Sequence, residues 1–233
     1  MVSSTQLKVI LVAILLAWSV GLYGLLWLSA AGDAVARAIV GMASMLLVVW
    51  VGLIGGTLWV RRAPLAVWCR RLLPLPDEAR FVLLATALVL IEEAVATGLS
   101  GAAGLFGDPS GRAMITASRD YVEVVTRHSV VVFVPMFVVW AFLLRRREYS
   151  PFVVLVLFGC NGVLAETLSF GPQNVLGAGF WILVYGTMVY LPAWTIPRGR
   201  VPRAGVLHLL AGLVLPVLGA IPVALGVLAL AGG

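Results

Sequence analysis

The chain has 233 residues, of which 62% are hydrophobic and only 11% charged, a balance that excludes an ordinary soluble domain and fits a protein whose solvent is mostly hydrocarbon. The net charge of +6 comes from arginines clustered in connections, Lys8 being the one lysine, so the basicity reads as membrane topology and excludes nucleic acid as a partner. Two cysteines, Cys69 in a connection and Cys160 in an apolar run, exclude a disulfide framework; Cys160 is expected to be a small buried packing residue.

A helix needs about 20 apolar residues to cross a bilayer. Seven stretches qualify, at residues 8–30, 35–60, 81–100, 128–144, 151–170, 174–196 and 205–230. The first is too long for the apolar part of a signal peptide and is expected to be a retained span. None of the seven alternates as the strands of a closed barrel do, which predicts an all-α, multi-pass bundle built as a single domain over 1–233.

Arginines concentrate in alternate connections. Arg61, Arg62, Arg70, Arg71 and Arg80 follow span two, Arg145, Arg146 and Arg147 follow span four, and Arg198, Arg200 and Arg203 follow span six. The positive-inside rule then predicts a cytoplasmic N-terminus, an outer C-terminus and residence in a plasma or cell inner membrane, with the lipid bilayer as the first partner.

The longest outer connection, 101–127, starts with turn chemistry at Asp108 and Pro109 and offers Ser110 as a helix cap. Met114, Ala117, Tyr121 and Val125 recur at roughly helical spacing, which predicts a short amphipathic helix on the outer surface.

Ionisable groups deep in a bilayer cost about 2.5 to 3.5 kcal/mol each on insertion scales, so they face a protein interior or water. Three acids fall inside spans: Glu92, Glu93 and Glu166. Glu93 shares a face with Thr86, Thr97 and Ser100, whereas Glu92 shares one with Ala85, Leu88, Ala96 and Leu99; Glu93 is the expected inward group, with Glu92 at its flank. On span five, Gly159, Gly162, Glu166, Ser169 and Gln173 follow at spacings of three and four, so small residues admit a neighbouring helix where Glu166 points. His128 stands at the outer start of span four, Asn161 on another face of span five, and Gln173 and Asn174 before Trp181 and Tyr185 at the outer start of span six. Spans three to six are therefore expected to surround a polar cavity opening outward, with Glu93, Glu166, His128, Asn161, Gln173, Asn174, Trp181 and Tyr185 as ligand-binding candidates. Pro135, Pro216 and Pro222 would free backbone carbonyls within spans.

This pattern predicts binding or transport of a cation or small polar solute, coupled to protons through a glutamate. A metal would have only Glu93, His128 and Glu166 to hold it, and no cofactor motif is present. A second reading comes from likeness: paired glutamates, then a histidine, then an asparagine on successive spans partly resemble the membrane-embedded glutamate proteases that process prenylated proteins. That resemblance implies water activation by Glu92 or Glu93 and an oxyanion held by Asn161, with His128 nearby. The chain departs from that pattern at Thr97, where the family has arginine, and lacks the later histidine near the asparagine. GLSG at 98–101 is similar to the rhomboid-protease serine motif, but Ser100 and His208 are predicted about 30 Å apart on opposite sides. A third reading is a non-catalytic complex subunit, homo- or hetero-oligomeric, in which Gly52 and Gly56 form a GxxxG contact.

Overall fold

The computed structural model describes residues 3–231. Among these residues all regular structure is helical, and seven helices are long and apolar enough to cross a membrane, as the hydropathy predicts. α1 (Ser4–Ser29) begins at a reciprocal cap, in which the Gln6 amide donates to the Ser3 hydroxyl and the Ser3 amide donates to the Gln6 side chain. α2 (Ala34–Leu46) is capped by Asp33 and runs into a nine-residue π-helical stretch, Leu47–Gly55, and then α3 (Gly56–Val60), which together make the second span.

α4 (Arg62–Leu72) falls where the arginine pattern predicts a simple connection. It is an amphipathic helix, with Ala66 and Cys69 buried against Leu58 and Leu191 while Trp68 and Leu72 are exposed. Both cysteines are free, but the buried one is Cys69, whose thiol burial pushes above its ordinary value; Cys160 is only half-buried, contrary to expectation.

The remaining helices are α5 (Asp77–Gly101), α6 (Tyr121–Arg127), α7 (Ser129–Arg146), α8 (Pro151–Phe170), α9 (Ala178–Trp194) and α10 (Val206–Ala231). α9 stands at the centre of the bundle, packed against α8, α1, α5, α4 and the π-helical stretch. α7 lies between α5 and α10, and α10 between α7 and α8. Among the described residues no comparable packing joins α1 to α8, so the ring around α9 has a seam there.

Glycine sets the tightest contact. A Cβ on Gly159 would lie 2.5 Å from the Ile182 carbonyl oxygen, and one on Gly186 would lie 2.6 Å from that of Leu155, so α8 and α9 meet backbone to backbone. Within the chain the Gly52/Gly56 pair does not act this way, since Gly56 has open space where a Cβ would stand; in span two a Cβ on Gly41 would lie 3.0 Å from the Phe106 ring and one on Gly55 3.2 Å from Thr187. The π-helical stretch turns the face that GxxxG spacing would present in a regular helix.

Asn161 takes a structural part. Pro216 lacks the N–H that would bond the Gly212 carbonyl one turn earlier. Asn161 Nδ2 donates to that carbonyl at 3.2 Å and to Leu213 at 2.6 Å, while Trp140 Nε1 donates to Asn161 Oδ1 at 3.0 Å. One buried amide thus ties α7, α8 and α10 together.

The arginine connections gather at one end of the bundle. Asp77 accepts from Arg80 and, at 3.1 Å, from Arg200; Arg145 is 3.5 Å from Glu78; and Arg80 also donates to the Thr195 carbonyl at 3.1 Å. At the other end the 101–127 connection differs from its prediction. A short 3-10 turn forms at Ala103–Phe106, residues 112–120 are not helical, and α6 follows, capped by Asp120, whose carboxylate accepts from the Val122 and Glu123 amides. Ser110 caps no helix because Asp108 engages it: the Asp108 carboxylate accepts from the Ser110 amide and hydroxyl and, at 2.7 Å, from the Ala113 amide. Those local bonds compete with helix and win.

Asn161→Ala is expected to destabilise the bundle by about 1–3 kcal/mol, because it orphans a buried carbonyl. Pro216→Ala restores the missing N–H, so the same Asn161 substitution should cost measurably less in that background, as read by reversible unfolding in detergent.

Candidate intramembrane acidic site

Two helices of the same direction, α5 and α8, and the oppositely directed α9 bring the acids together. Cα–Cβ bonds tilt toward a helix's own N-terminus. Glu166 on α8 therefore leans toward the arginine-rich end and Tyr185 on the oppositely directed α9 leans away from it. The two meet: the Tyr185 hydroxyl donates to Glu166 Oε1. Gly162 permits this, since a Cβ there would be 1.8 Å from Tyr185 Cδ2, so the ring lies on the bare α8 backbone one turn before Glu166. Rings surround the pair, with Trp181 stacked on Tyr185 at 5.5 Å and Phe133 tilted against it at 5.2 Å.

α5 supplies the other two acids. Glu92 is 5% exposed and Glu93 7%, so both are inside. Glu92 is within electrostatic range of Glu93 and Glu166, and Glu93 of Glu166. The expectation that Glu92 merely flanks the site is corrected: Ala85 and Ala96, on its face, are themselves buried. In lipid an apolar face is not an exposed face, and alanine marks close packing. Glu93 lies eight residues before the end of α5 and Glu166 four before the end of α8, or roughly 12 and 6 Å.

Two hydroxyls attend Glu93. Ser129 at the start of α7 stands against its carboxyl, and Thr97, one turn along the same face and 6% exposed, has a buried hydroxyl without a partner. Among the described residues none of Glu92, Glu93 and Glu166 forms a salt bridge.

Several predicted residues lie elsewhere. His128 sits at the α6–α7 joint with Nε2 4.0 Å from Glu123 Oε1. Asn161 is spent on the α10 carbonyls, so neither residue completes the hydrolase arrangement with Glu92 or Glu93. Gln173 and Asn174 donate locally to Phe170 and Gly171 carbonyls. Among the described residues no three His, Cys, Asp or Glu side chains are grouped to hold a metal, so Glu93, His128 and Glu166 do not make such a centre. Ser100 is fully buried; its hydroxyl accepts from the Ile115 amide at 3.1 Å and pins the 101–127 connection over the end of α5.

The connection closes the site from its nearer end. Thr116 Oγ1 is 2.9 Å from Ser100 Oγ, Arg119 Nε donates to the Ser100 carbonyl at 3.1 Å, and Tyr121 reaches down to the Leu90 carbonyl at 3.0 Å. The expected outward-opening cavity is therefore capped. Two pockets lie at the arginine-rich end, one of about 180 Å³ and lined by Asp77, Glu78, Arg145 and Arg200 among others. Nothing in a linear reading brings those four together, because three separate connections contribute them.

No family model, curated protein or solved structure matches the chain.

Gly162→Ala should displace the Tyr185 ring and destabilise the protein by about 1–3 kcal/mol, whereas Tyr185→Phe should cost only about 1 kcal/mol by removing one hydroxyl; unfolding midpoints of the two variants separate these effects. In the capping connection, the bonds from Ser110 and Ala113 hold the Asp108 carboxyl below its ordinary value. A depressed folded value means the contribution is complete above about pH 4 and is lost as pH falls through the lowered value. Proteolytic protection of 107–119 should follow that course in the native chain, and Asp108→Asn should reduce it at neutral pH.

Proposed function

We propose that this multi-pass membrane protein binds a cation at Glu92, Glu93 and Glu166 and exchanges it for protons, as a carrier. The supporting observation is three carboxyl groups, two of them deeply buried, within electrostatic range of one another and, among the described residues, none of them in a salt bridge. Charged carboxylates crowded in a low-dielectric interior require neutralisation, which protons or a bound cation supply in turn. Tyr185 orients Glu166 through its hydroxyl, Ser129 stands against the Glu93 carboxyl, and the buried Thr97 hydroxyl is without a partner.

By the arginine bias, the end carrying Asp77, Arg145 and Arg200 faces the cytoplasm. Its ion pairs tie α5 to the end of α7 and to the connection after α9, while the 101–127 connection covers the other end. Exchange then proceeds by loosening one closure at a time. The hydrolase reading lacks its asparagine, because Asn161 is committed to the α10 carbonyls.

Proteoliposomes holding a pH-sensitive dye and an imposed pH gradient test this reading. Sodium, potassium or organic ammonium chlorides, added one at a time, should include at least one that collapses the gradient faster than in protein-free vesicles. Glu93→Gln and Glu166→Gln should each slow that collapse at least ten-fold while the protein stays monodisperse. No cation-dependent collapse with any of these salts, or full activity in both variants, contradicts the proposal.

A further inference from the structure

Four aromatic side chains meet at the arginine-rich end of the bundle. Trp59 of α3 stacks on Tyr190 of α9 at 5.0 Å and meets Phe152 of α8 edge-on at 5.9 Å, while Trp194 meets Tyr190 edge-on at 6.5 Å. Two guanidinium groups lie on these rings. That of Arg62 is 5.6 Å from the Trp59 ring centre and 5.5 Å from that of Trp194, and that of Arg198 is 4.9 Å from the Trp194 ring centre. Both also stand within electrostatic range of the Tyr190 hydroxyl. Two connections, after span two and after span six, thus deliver their cations to one aromatic platform.

The arginines of this end divide into two sets. Arg80, Arg145 and Arg200 pair with Asp77 or Glu78. Among the described residues neither Arg62 nor Arg198 forms a salt bridge, and Glu148, which lines a pocket with Arg198, accepts instead from the Gly199 amide at 2.9 Å. A ring face holds a guanidinium by its flat side and leaves the N–H groups at its edge free to donate. Arg62 spends Nη1 on the Trp59 carbonyl, and its remaining donors, like those of Arg198, meet no carboxylate. Two like charges resting on the Trp194 ring repel, and an anion beside them offsets that repulsion. Phosphate suits the planar guanidinium fork, which can donate to two of its oxygens at once. Position points to the phosphate of a lipid, because tryptophan and tyrosine gather at the headgroup level of a bilayer and this platform lies at the ends of spans two, five and six. Val60 beside it is 72% exposed, an apolar surface for an acyl chain.

We infer that Arg62 and Arg198 hold the phosphate of an anionic phospholipid headgroup, with Trp59, Tyr190 and Trp194 as the platform that fixes the two guanidinium groups, in the leaflet at the arginine-rich end. This site is separate from the acidic cluster and does not rest on the cation reading.

Phosphatidylglycerol, an anionic phospholipid, is the probe, and zwitterionic phosphatidylcholine is its comparison. Native mass spectrometry of the purified, delipidated full-length chain, titrated with each lipid in neutral detergent, should show one phosphatidylglycerol held more tightly than any phosphatidylcholine. Arg62→Gln and Arg198→Gln should each weaken that binding about ten-fold, as loss of one charge-assisted pair implies. Arg71→Gln removes the same charge from an exposed position on α4 and should leave it nearly unchanged. Equal binding of the two lipids by the native chain overturns the inference without reference to any variant. Equal weakening by Arg71→Gln also overturns it, because a diffuse basic surface would then account for the binding. Displacement of the lipid by inorganic phosphate at matching concentration would overturn the assignment to a lipid, since the headgroup and chains would then add nothing.

Discussion

The contact of α8 with α9 is the constraint on which the site depends. Two spans approach until backbone meets backbone only where glycine removes the side chains, and Gly159, Gly162 and Gly186 do so within three turns. That approach lays the Tyr185 ring on α8 and places its hydroxyl on Glu166. With α9 at the centre of the bundle, the same geometry brings Glu166 within range of the two acids of α5. Adding a methyl group to Gly162 would act on the site as directly as changing an acid would.

Burying acids sets a second constraint. Lipid provides no driving force for pushing helices together, so packing and polar contacts must do it. This bundle uses both. Asn161 satisfies carbonyls that Pro216 leaves bare, and Trp50 Nε1 donates to the Val184 carbonyl at 2.9 Å, fastening the π-helical stretch to α9. Those bonds are structural and complete. Around Glu93, by contrast, the buried Thr97 hydroxyl is without a partner. The difference between a finished polar network and an unfinished one separates the helix fastenings from the proposed ligand site.

Hydropathy made the spans legible, because each must bury a full bilayer thickness of backbone in apolar side chains and the arginines gather in the connections. Spacing at three and four residues along α8 correctly placed Gly159 and Gly162 on a helix contact. Face arguments failed for Glu92, since the rule that polar means inside and apolar means outside loses force in lipid. GxxxG spacing on span two makes no close contact within the chain, where a π-helical stretch shifts the angular position of Gly56. α4 was hidden by its arginines, and the charged cavity at Asp77, Glu78, Arg145 and Arg200 was hidden because tertiary structure alone joins its pieces. Asn161 read as a ligand because an asparagine in a span is costly; the freed carbonyls that explain it lie on a helix about 50 residues away, at Gly212 and Leu213.

The central claim is that Glu92, Glu93 and Glu166 act as one acidic centre whose charge is neutralised either by protons or by a cation. Infrared difference spectroscopy of the reconstituted protein, recorded with and without the bound cation at constant pH, reads carboxyl protonation directly. The account requires a protonated-carboxyl band to disappear as carboxylate bands grow when the cation binds, with the lost band shifted or absent in Glu166→Gln or Glu93→Gln protein. Cation binding that leaves the carboxyl region unchanged would contradict it.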